Sequence, residues 1–185
     1  MTIALIVEDG SGTVVDANSY VSQADADAYW ADRANAAWAA AIPDAKAAAL
    51  IQATQYLDAR YTFKGQPLLD TQPLAWPRQA QTYSAPAMIG YQTAVYAGSA
   101  SDAALFAWPV KRLIQACCEA ALRALSGSLY TDESSAIVTS EKVDVIAVTY
   151  ADRARNGGQV RLAIVDDLLK PLLSGGRYNV TLVRA

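Results

Sequence analysis

The acidic side chains are the first candidates for chemistry, because clustered carboxylates can bind a metal ion or exchange a proton. Asp166 and Asp167 are adjacent, and Glu119 lies in another helical segment. Neighbouring carboxylates on a helix diverge, which predicts a solvated face for the pair, and Glu119 is predicted to be a surface or ion-pair residue. Asp9 and Asp16 lack the spacing of a calcium-binding loop. We therefore expect no metal site, and a metal-dependent nuclease using Asp166 or Glu119 stays an alternative.

This chain lacks the residues and motifs that usually support nucleophilic catalysis. There is no histidine, which is the commonest general base, and no serine stands in a G-x-S-x-G or S-x-x-K motif. Cys117 and Cys118 are adjacent, where a disulfide would be strained, so we predict reduced core thiols in a chain made in a reducing cytoplasm. The glycine-rich stretches at 10–12 and 157–158 do not match phosphate-binding loops. We expect no catalytic residue, no cofactor and no enzymatic activity.

Trp76, Pro77 and Arg78 lie in the most distinctive loop of the sequence. Pro73 and Pro77 bias this loop toward an extended shape. Such a loop is predicted to be fixed in one shape, either against its own helices or against a partner. Aromatic residues beside basic ones could also stack single-stranded DNA, and Trp108 near Lys111 offers a second such pair. The net charge of −3 and the pI near 4.9 disfavour nucleic-acid binding, which we keep as an alternative.

Four helical segments must position these residues. The first begins after Ser22, a good N-cap, and ends near Arg33; the others cover about 44–61, 109–127 and 160–173. Trp38 falls in a short alanine-rich turn that Pro43 ends. Apolar residues at helical spacing predict the buried faces of the last three segments. These residues are Leu50, Ile51, Thr54, Leu57 and Tyr61; Leu113, Ile114, Cys117, Ala120, Ala121 and Ala124; and Leu162, Val165, Leu168, Leu169 and Leu172.

The β-type segments are short. Ile3–Val7 and Thr13–Val15 flank a glycine-rich turn and predict an N-terminal hairpin, and Val143–Tyr150 predicts a strand or arm. Residues 177–184 alternate like a further strand, with Tyr178, Val180 and Leu182 on one side. That strand pairs either with 143–150 or with a sheet edge on another subunit, and both arrangements stay open.

The chain of 185 residues, 53% of them hydrophobic, is long enough to bury one core. We predict a mainly α fold, a bundle of about four helices, in a single domain. Residues 62–106 are predicted to be a long loop or insertion, and 174–185 a C-terminal arm. Charged residues make up only 18%, which suits a surface covered by copies of itself, and equally suits an alanine-rich genome. No signal peptide and no membrane-spanning run is present in the sequence.

The order of several motifs resembles the head–tail connector (adaptor, or head-completion) proteins of tailed bacteriophages. Many members of that group carry the label "DnaT-like putative single-stranded-DNA-binding protein". The resemblance covers nearly the whole chain, although the segment 82–106 is longer than usual for the group. The motifs are EDGSG at 8–12, ANSYVS at 17–22, AYW at 28–30, KAAALIQATQYLD at 46–58, LAWPR at 74–78, PVK at 109–111, SEKV at 140–143 and LLKPLL at 168–173.

The resemblance implies a structural virion protein at the head–tail junction, or neck. It implies a ring of twelve copies that binds the portal protein and a tail terminator or stopper. Genomic double-stranded DNA would pass through its channel during ejection without specific binding, and no membrane is involved. The alternatives are a single-stranded-DNA-binding replication accessory and another virion ring protein such as a tail terminator. We predict a partner interface at Trp76, Pro77, Arg78, Arg177, Tyr178, Val180, Leu182 and Arg184.

Overall fold

The computed structural model describes residues 3–79, 83–84, 95–96, 106–130, 140–143, 146–149 and 162–174. These residues form a mainly helical fold, as the sequence predicts. Its helices are α1 (Gln23–Ala31), α2 (Ala36–Ala40), α3 (Pro43–Arg60), α4 (Lys111–Ser126) and α5 (Ala163–Leu169), and a 3-10 turn covers Lys170–Leu172. No described helix has both the length and the apolar character that crossing a membrane requires.

The core lies between α3 and α4, and α5 packs against the other side of α4. Leu50, Thr54 and Leu57 of α3 face Leu113 and the two cysteines of α4, and all of these are buried. On α5 and the turn after it, Val165, Leu169 and Leu172 are buried. The predicted helix faces are therefore confirmed, with Ile51, Tyr61, Ile114, Ala124 and Leu168 at their half-buried edges.

Local residues explain where the helices begin and end. The Ser22 side chain accepts a hydrogen bond from the Asp25 N–H, which confirms the predicted N-cap of α1. Asn35 caps α2 through the Trp38 N–H, at 3.0 Å, so the predicted alanine-rich turn is a short helix. Gly127 ends α4 as predicted, but α4 begins at Lys111, and Pro109 precedes it after a cis Trp108–Pro109 bond.

Three two-stranded antiparallel sheets are present among the described residues. Strand β1 (Gln66–Pro67) pairs with β2 (Arg78–Gln79), and β3 (Tyr83–Ser84) pairs with β4 (Val95–Tyr96). Strand β5 (Ser140–Val143) pairs with β6 (Ile146–Thr149). The predicted strand at 143–150 is therefore half of a local hairpin, because β5 supplies its partner. Residues 175–185, which include the predicted arm, lie outside the described part of the chain.

The predicted N-terminal hairpin is wrong. Residues 3–15 contain no paired strands, and Val7 instead forms a parallel bridge with Ser19. The turn is closed by the Glu8 side chain, whose Oε1 accepts the N–H groups of Gly10 and Gly12, each at 2.9 Å. Asn18 holds the preceding segment through the Ile6 N–H and the Ala4 carbonyl. Side-chain hydrogen bonds replace the ladder that the alternating pattern predicts.

Candidate functional site

The loop at 66–79 follows α3 and is held from its inner side. Trp76 is 0% exposed; its ring stacks on Phe106 at 5.5 Å between centroids and meets the edge of Phe63 at 5.7 Å. The backbone N–H of Trp76 donates to the Tyr20 hydroxyl, and Pro77 is buried beside it, after a cis peptide bond. Of the two possibilities that the sequence leaves open, packing against the chain's own core is the one that the structure shows for Trp76.

Asp58, in the last turn of α3, connects this loop to the segment before α1. Its Oδ1 accepts a hydrogen bond from the Tyr20 hydroxyl, and its Oδ2 accepts the Ala75 N–H at 3.0 Å. Burial raises the pKa of Asp58 above its usual value, against the opposing effect of these hydrogen bonds and the charge of Arg78. Burial, followed by the nearby Asp58 carboxylate, also raises the pKa of Tyr20. The pair is therefore a buried structural clamp.

Arg78 satisfies the loop's own carbonyl oxygens. Its Nε donates to the Lys64 carbonyl at 2.8 Å, and its two terminal nitrogens donate to the carbonyls of Ala75 at 3.1 Å and Gly65 at 2.7 Å. Burial lowers the pKa of Arg78 from its usual value. Because three of the five guanidinium N–H donors bind carbonyl oxygens of the loop and of the residues just before it, Arg78 is placed to shape the chain rather than to neutralise a phosphate.

The outer side of the loop carries exposed apolar residues. Leu68 and Leu69 are each 38% exposed, and Val15 on the facing turn is 79% exposed. A hollow of about 390 Å³ lies between the two segments, lined by Val15, Leu69 and Pro73 among others. Gly12, at φ +71°, lets the turn approach the loop, since a Cβ there would lie 3.3 Å from Gln72 Oε1 and 3.5 Å from Leu69 Cδ1. We call Val15, Leu68, Leu69 and Pro73 the loop surface.

The predicted interface residues thus divide into two groups. Trp76 and Pro77 are buried within the chain and Arg78 is half-buried, so a partner that meets this loop would touch the loop surface first. Arg177, Tyr178, Val180, Leu182 and Arg184 lie outside the described residues. The prediction that these eight residues contact a partner stays a prediction.

Two of the acidic candidates for chemistry, Glu119 and Asp166, have structural partners, while Asp167 is exposed. Glu119 is 6% exposed, accepts the Tyr29 hydroxyl at 3.0 Å and pairs with Arg123 at 3.0 Å, as an ion-pair residue should. Burial and this hydrogen bond raise the pKa of Tyr29 to about 12. Asp166 accepts the Tyr61 hydroxyl at 2.6 Å. Within the described residues, no group of three metal-ligating side chains comes together.

The cysteines and Trp108 also belong to the packing. Both thiols are free and buried, and burial raises the pKa of Cys117 to about 12 and raises that of Cys118 as well. They are placed as core residues rather than nucleophiles. Trp108 packs beneath the first turn, since a Cβ on Gly10 would lie 2.4 Å from its Cγ. Trp108 keeps partial exposure and Lys111 is exposed, so this pair remains the better placed of the two aromatic–basic pairs.

The sequence reasoning missed Tyr20, Asp58 and Glu8, the polar residues that fix the loop and the first turn. A signal was present, because all three fall within motifs that carry the resemblance: EDGSG, ANSYVS and the end of KAAALIQATQYLD. Polar residues that recur in such motifs without catalytic spacing are candidates for buried structural hydrogen bonds.

One protein-family model matches most of the chain. The family model described as "Putative DnaT-like ssDNA binding protein" matches residues 3–95 and 108–185. The chain belongs to this family. The match leaves out residues 96–107, which overlap the segment 82–106 that is longer than usual for the group that the sequence resembles. No curated protein and no solved structure matches the chain.

Proposed function

We propose that this family member is a structural subunit of a tailed-bacteriophage neck, forming a ring between the portal and the tail or stopper. The observation that carries the proposal is the construction of the 66–79 loop. Trp76, Arg78 and the Tyr20–Asp58 clamp hold it from inside, while Leu69 and Val15 point apolar surface outward. A fixed loop that exposes clustered apolar side chains is suited to protein–protein contact, because little entropy is lost when it binds.

Two further observations support a binding role without catalysis. Glu119 is engaged in an ion pair, Asp166 in a hydrogen bond, and the two thiols lie in the core. The net charge of −3 is also suited to a channel through which DNA slides without adhering. The choice of the phage neck as the assembly rests on the order of the motifs, which resembles that of connector proteins.

The test is binding to portal rings from the phage whose genome encodes the chain. Val15→Asp combined with Leu69→Asp places charge in the loop surface, and we expect it to abolish sedimentation with the rings. Ile164→Asp is the matched control, because Ile164 is an exposed apolar residue on α5, at 41%, outside the loop surface. Equal binding by both variants, or no binding by the unaltered chain, would contradict the proposal.

Single-stranded DNA binding is the second candidate, and the description of the matching family favours it over a connector. The best-placed residues are Trp108 with the exposed Lys111 and Arg112. Stacking on an aromatic ring beside basic side chains is the usual means of holding a single strand.

This candidate predicts salt-sensitive binding of a labelled oligonucleotide. Lys111→Glu with Arg112→Glu should weaken the binding at least about tenfold, because two phosphate contacts become repulsive. Lys170→Glu is the control, since Lys170 is exposed elsewhere on the chain. Absence of binding at physiological salt would exclude this candidate and leave the connector.

A further inference from the structure

A second hollow, of about 440 Å³, lies between α1, α2 and the start of α3. Its walls are the indoles of Trp30 and Trp38 and several alanines, of which Ala39 is exposed. The surface beside it is also apolar: Ile42, between α2 and α3, is 67% exposed. The hollow has the size and lining of a site for one or two apolar side chains.

Two polar groups at the wall of this hollow lack partners among the described residues. Trp30 Nε1 is buried and donates no hydrogen bond. Asp27 Oδ1 accepts from Trp38 Nε1 at 2.7 Å and from Lys46 Nζ at 2.8 Å, while its Oδ2 accepts none from the described residues. Only the Asp27 carboxylate, whose side chain is 43% exposed, can be reached from outside, and an occupant with a cation would pair with it.

The surroundings are acidic. Asp25 and Asp32 are exposed on and beside α1, and the Asp27 side chain is 43% exposed. The nearby cations are already engaged: Lys46 is 12% exposed in its pair with Asp27, and Arg33 lies over the Tyr29 ring at 3.5 Å. A basic segment with apolar side chains on one face is the complementary partner.

The chain contains such a segment outside the described residues. Residues 175–185 carry two arginines and no acidic residue, and in an extended strand Tyr178, Val180, Leu182 and Arg184 share one face. We propose that this segment of a second copy binds in the α1–α2 hollow, with Leu182 against its alanine wall and Arg184 at Asp27. The proposal does not depend on the connector function.

The distance that residues 175–185 can span from Ser174 favours a second copy, rather than the same chain, as the source of the bound segment. Ser174 is held at the far end of α3 by its hydrogen bond to Thr62, at 2.9 Å. Lys46, at the hollow, lies about 21 Å from Arg60 along the helix. An extended chain places Tyr178 within roughly 13 Å of Ser174 and Leu182 within roughly 27 Å. The same chain would therefore need a nearly straight path over a curved surface, whereas a neighbour has no such restriction.

The test is sedimentation velocity of the full chain over a range of concentrations. We expect concentration-dependent association, which Ala39→Phe weakens at least about tenfold because it fills the hollow. Ala37→Phe is the matched control, since Ala37 is exposed on α2 and does not line the hollow. Arg184→Glu should weaken association similarly without touching the helical core, so the proposal can be tested even if Ala39→Phe fails to fold.

Four outcomes would overturn the proposal. The unaltered chain could stay monomeric throughout, the two phenylalanine variants could associate equally, or Arg184→Glu could associate like the unaltered chain. Changes in tryptophan fluorescence on Leu182→Ala in a strictly monomeric protein would indicate docking within one chain, which also contradicts it.

Discussion

Two tryptophan-containing regions of this molecule differ in how completely the chain fills them. Around Trp76, two phenylalanines and a buried proline close the space, and Arg78 satisfies the loop carbonyls. Around Trp30 and Trp38, alanines leave a hollow of about 440 Å³; the buried indole N–H of Trp30, like that of Trp76, has no partner among the described residues. The comparison teaches that an indole stabilises the fold where its neighbours are large, and leaves room for a ligand where they are small.

The strongest test of this contrast is Trp76→Ala. We expect the free energy of unfolding to fall by about 3–5 kcal/mol, because the change leaves a large cavity between Phe63 and Phe106. Urea denaturation measures the loss. Trp76→Phe should cost less, since it keeps a ring in the stack, and a loss below about 1 kcal/mol for the alanine variant would show that the loop is not anchored there.

Arg78→Ala should have the next largest effect. It removes three hydrogen bonds to carbonyl oxygens, and we expect a loss of about 2 kcal/mol with faster proteolytic cleavage of the 66–79 loop. Arg78→Lys should recover only part of the stability, because an ammonium cannot reproduce the planar fork. Full recovery by lysine would mean that charge alone matters at this position.

Asp58→Asn tests the clamp through pH. Because burial raises the folded-state pKa of Asp58, protonation favours the folded state, and this contribution to stability is present at low pH and lost as pH rises through the folded pKa. The unaltered chain should therefore gain stability relative to Asp58→Asn as pH falls from 7 toward 4. Urea denaturation across that range measures the difference. If the stability of the unaltered chain relative to Asp58→Asn instead falls as pH falls, the hydrogen bonds from Tyr20 and Ala75 outweigh burial in setting the pKa of Asp58.

The smallest change in the free energy of unfolding is expected for a substitution in the hollow beside Trp30 and Trp38. Ala39→Leu should change the free energy of unfolding by less than about 0.5 kcal/mol, because its side chain enters open space. Ala53→Leu, at a fully buried position of α3, should cost about 1–3 kcal/mol through overpacking. Thermal unfolding of the two variants makes the comparison. Equal losses would show that the hollow is as tightly packed as the core.

Much of the fold could be predicted because its signals are local. The faces of α3, α4 and α5 follow from apolar spacing, and Ser22 and Gly127 mark ends that are visible in the sequence. Helix α2 was predicted only as a turn, since five residues with a single large side chain have no periodicity. The N-terminal hairpin was predicted wrongly because Glu8 and Asn18 bind backbone groups that strands would otherwise pair.

The candidate site could be predicted less well. The importance of the Trp76 loop was visible, but the direction in which Trp76 points depends on Phe63 and Phe106, which are far from it in sequence. The loop surface was missed because Val15 and Leu69 look like ordinary loop residues until the turn and the loop pack together. A single exposed apolar residue is common on protein surfaces and does not indicate a binding surface until its spatial neighbours are known.

The sequence by itself determined the helical segments, their buried faces and the lack of histidine chemistry, because helix hydrogen bonds and apolar periodicity involve residues within a few positions of one another. The tertiary structure alone decided that Tyr20 meets Asp58, that Arg78 serves its own loop and that a hollow remains beside Trp30. These pairings join residues far apart in the chain, and only the packing of the helices brings their side chains within bonding distance.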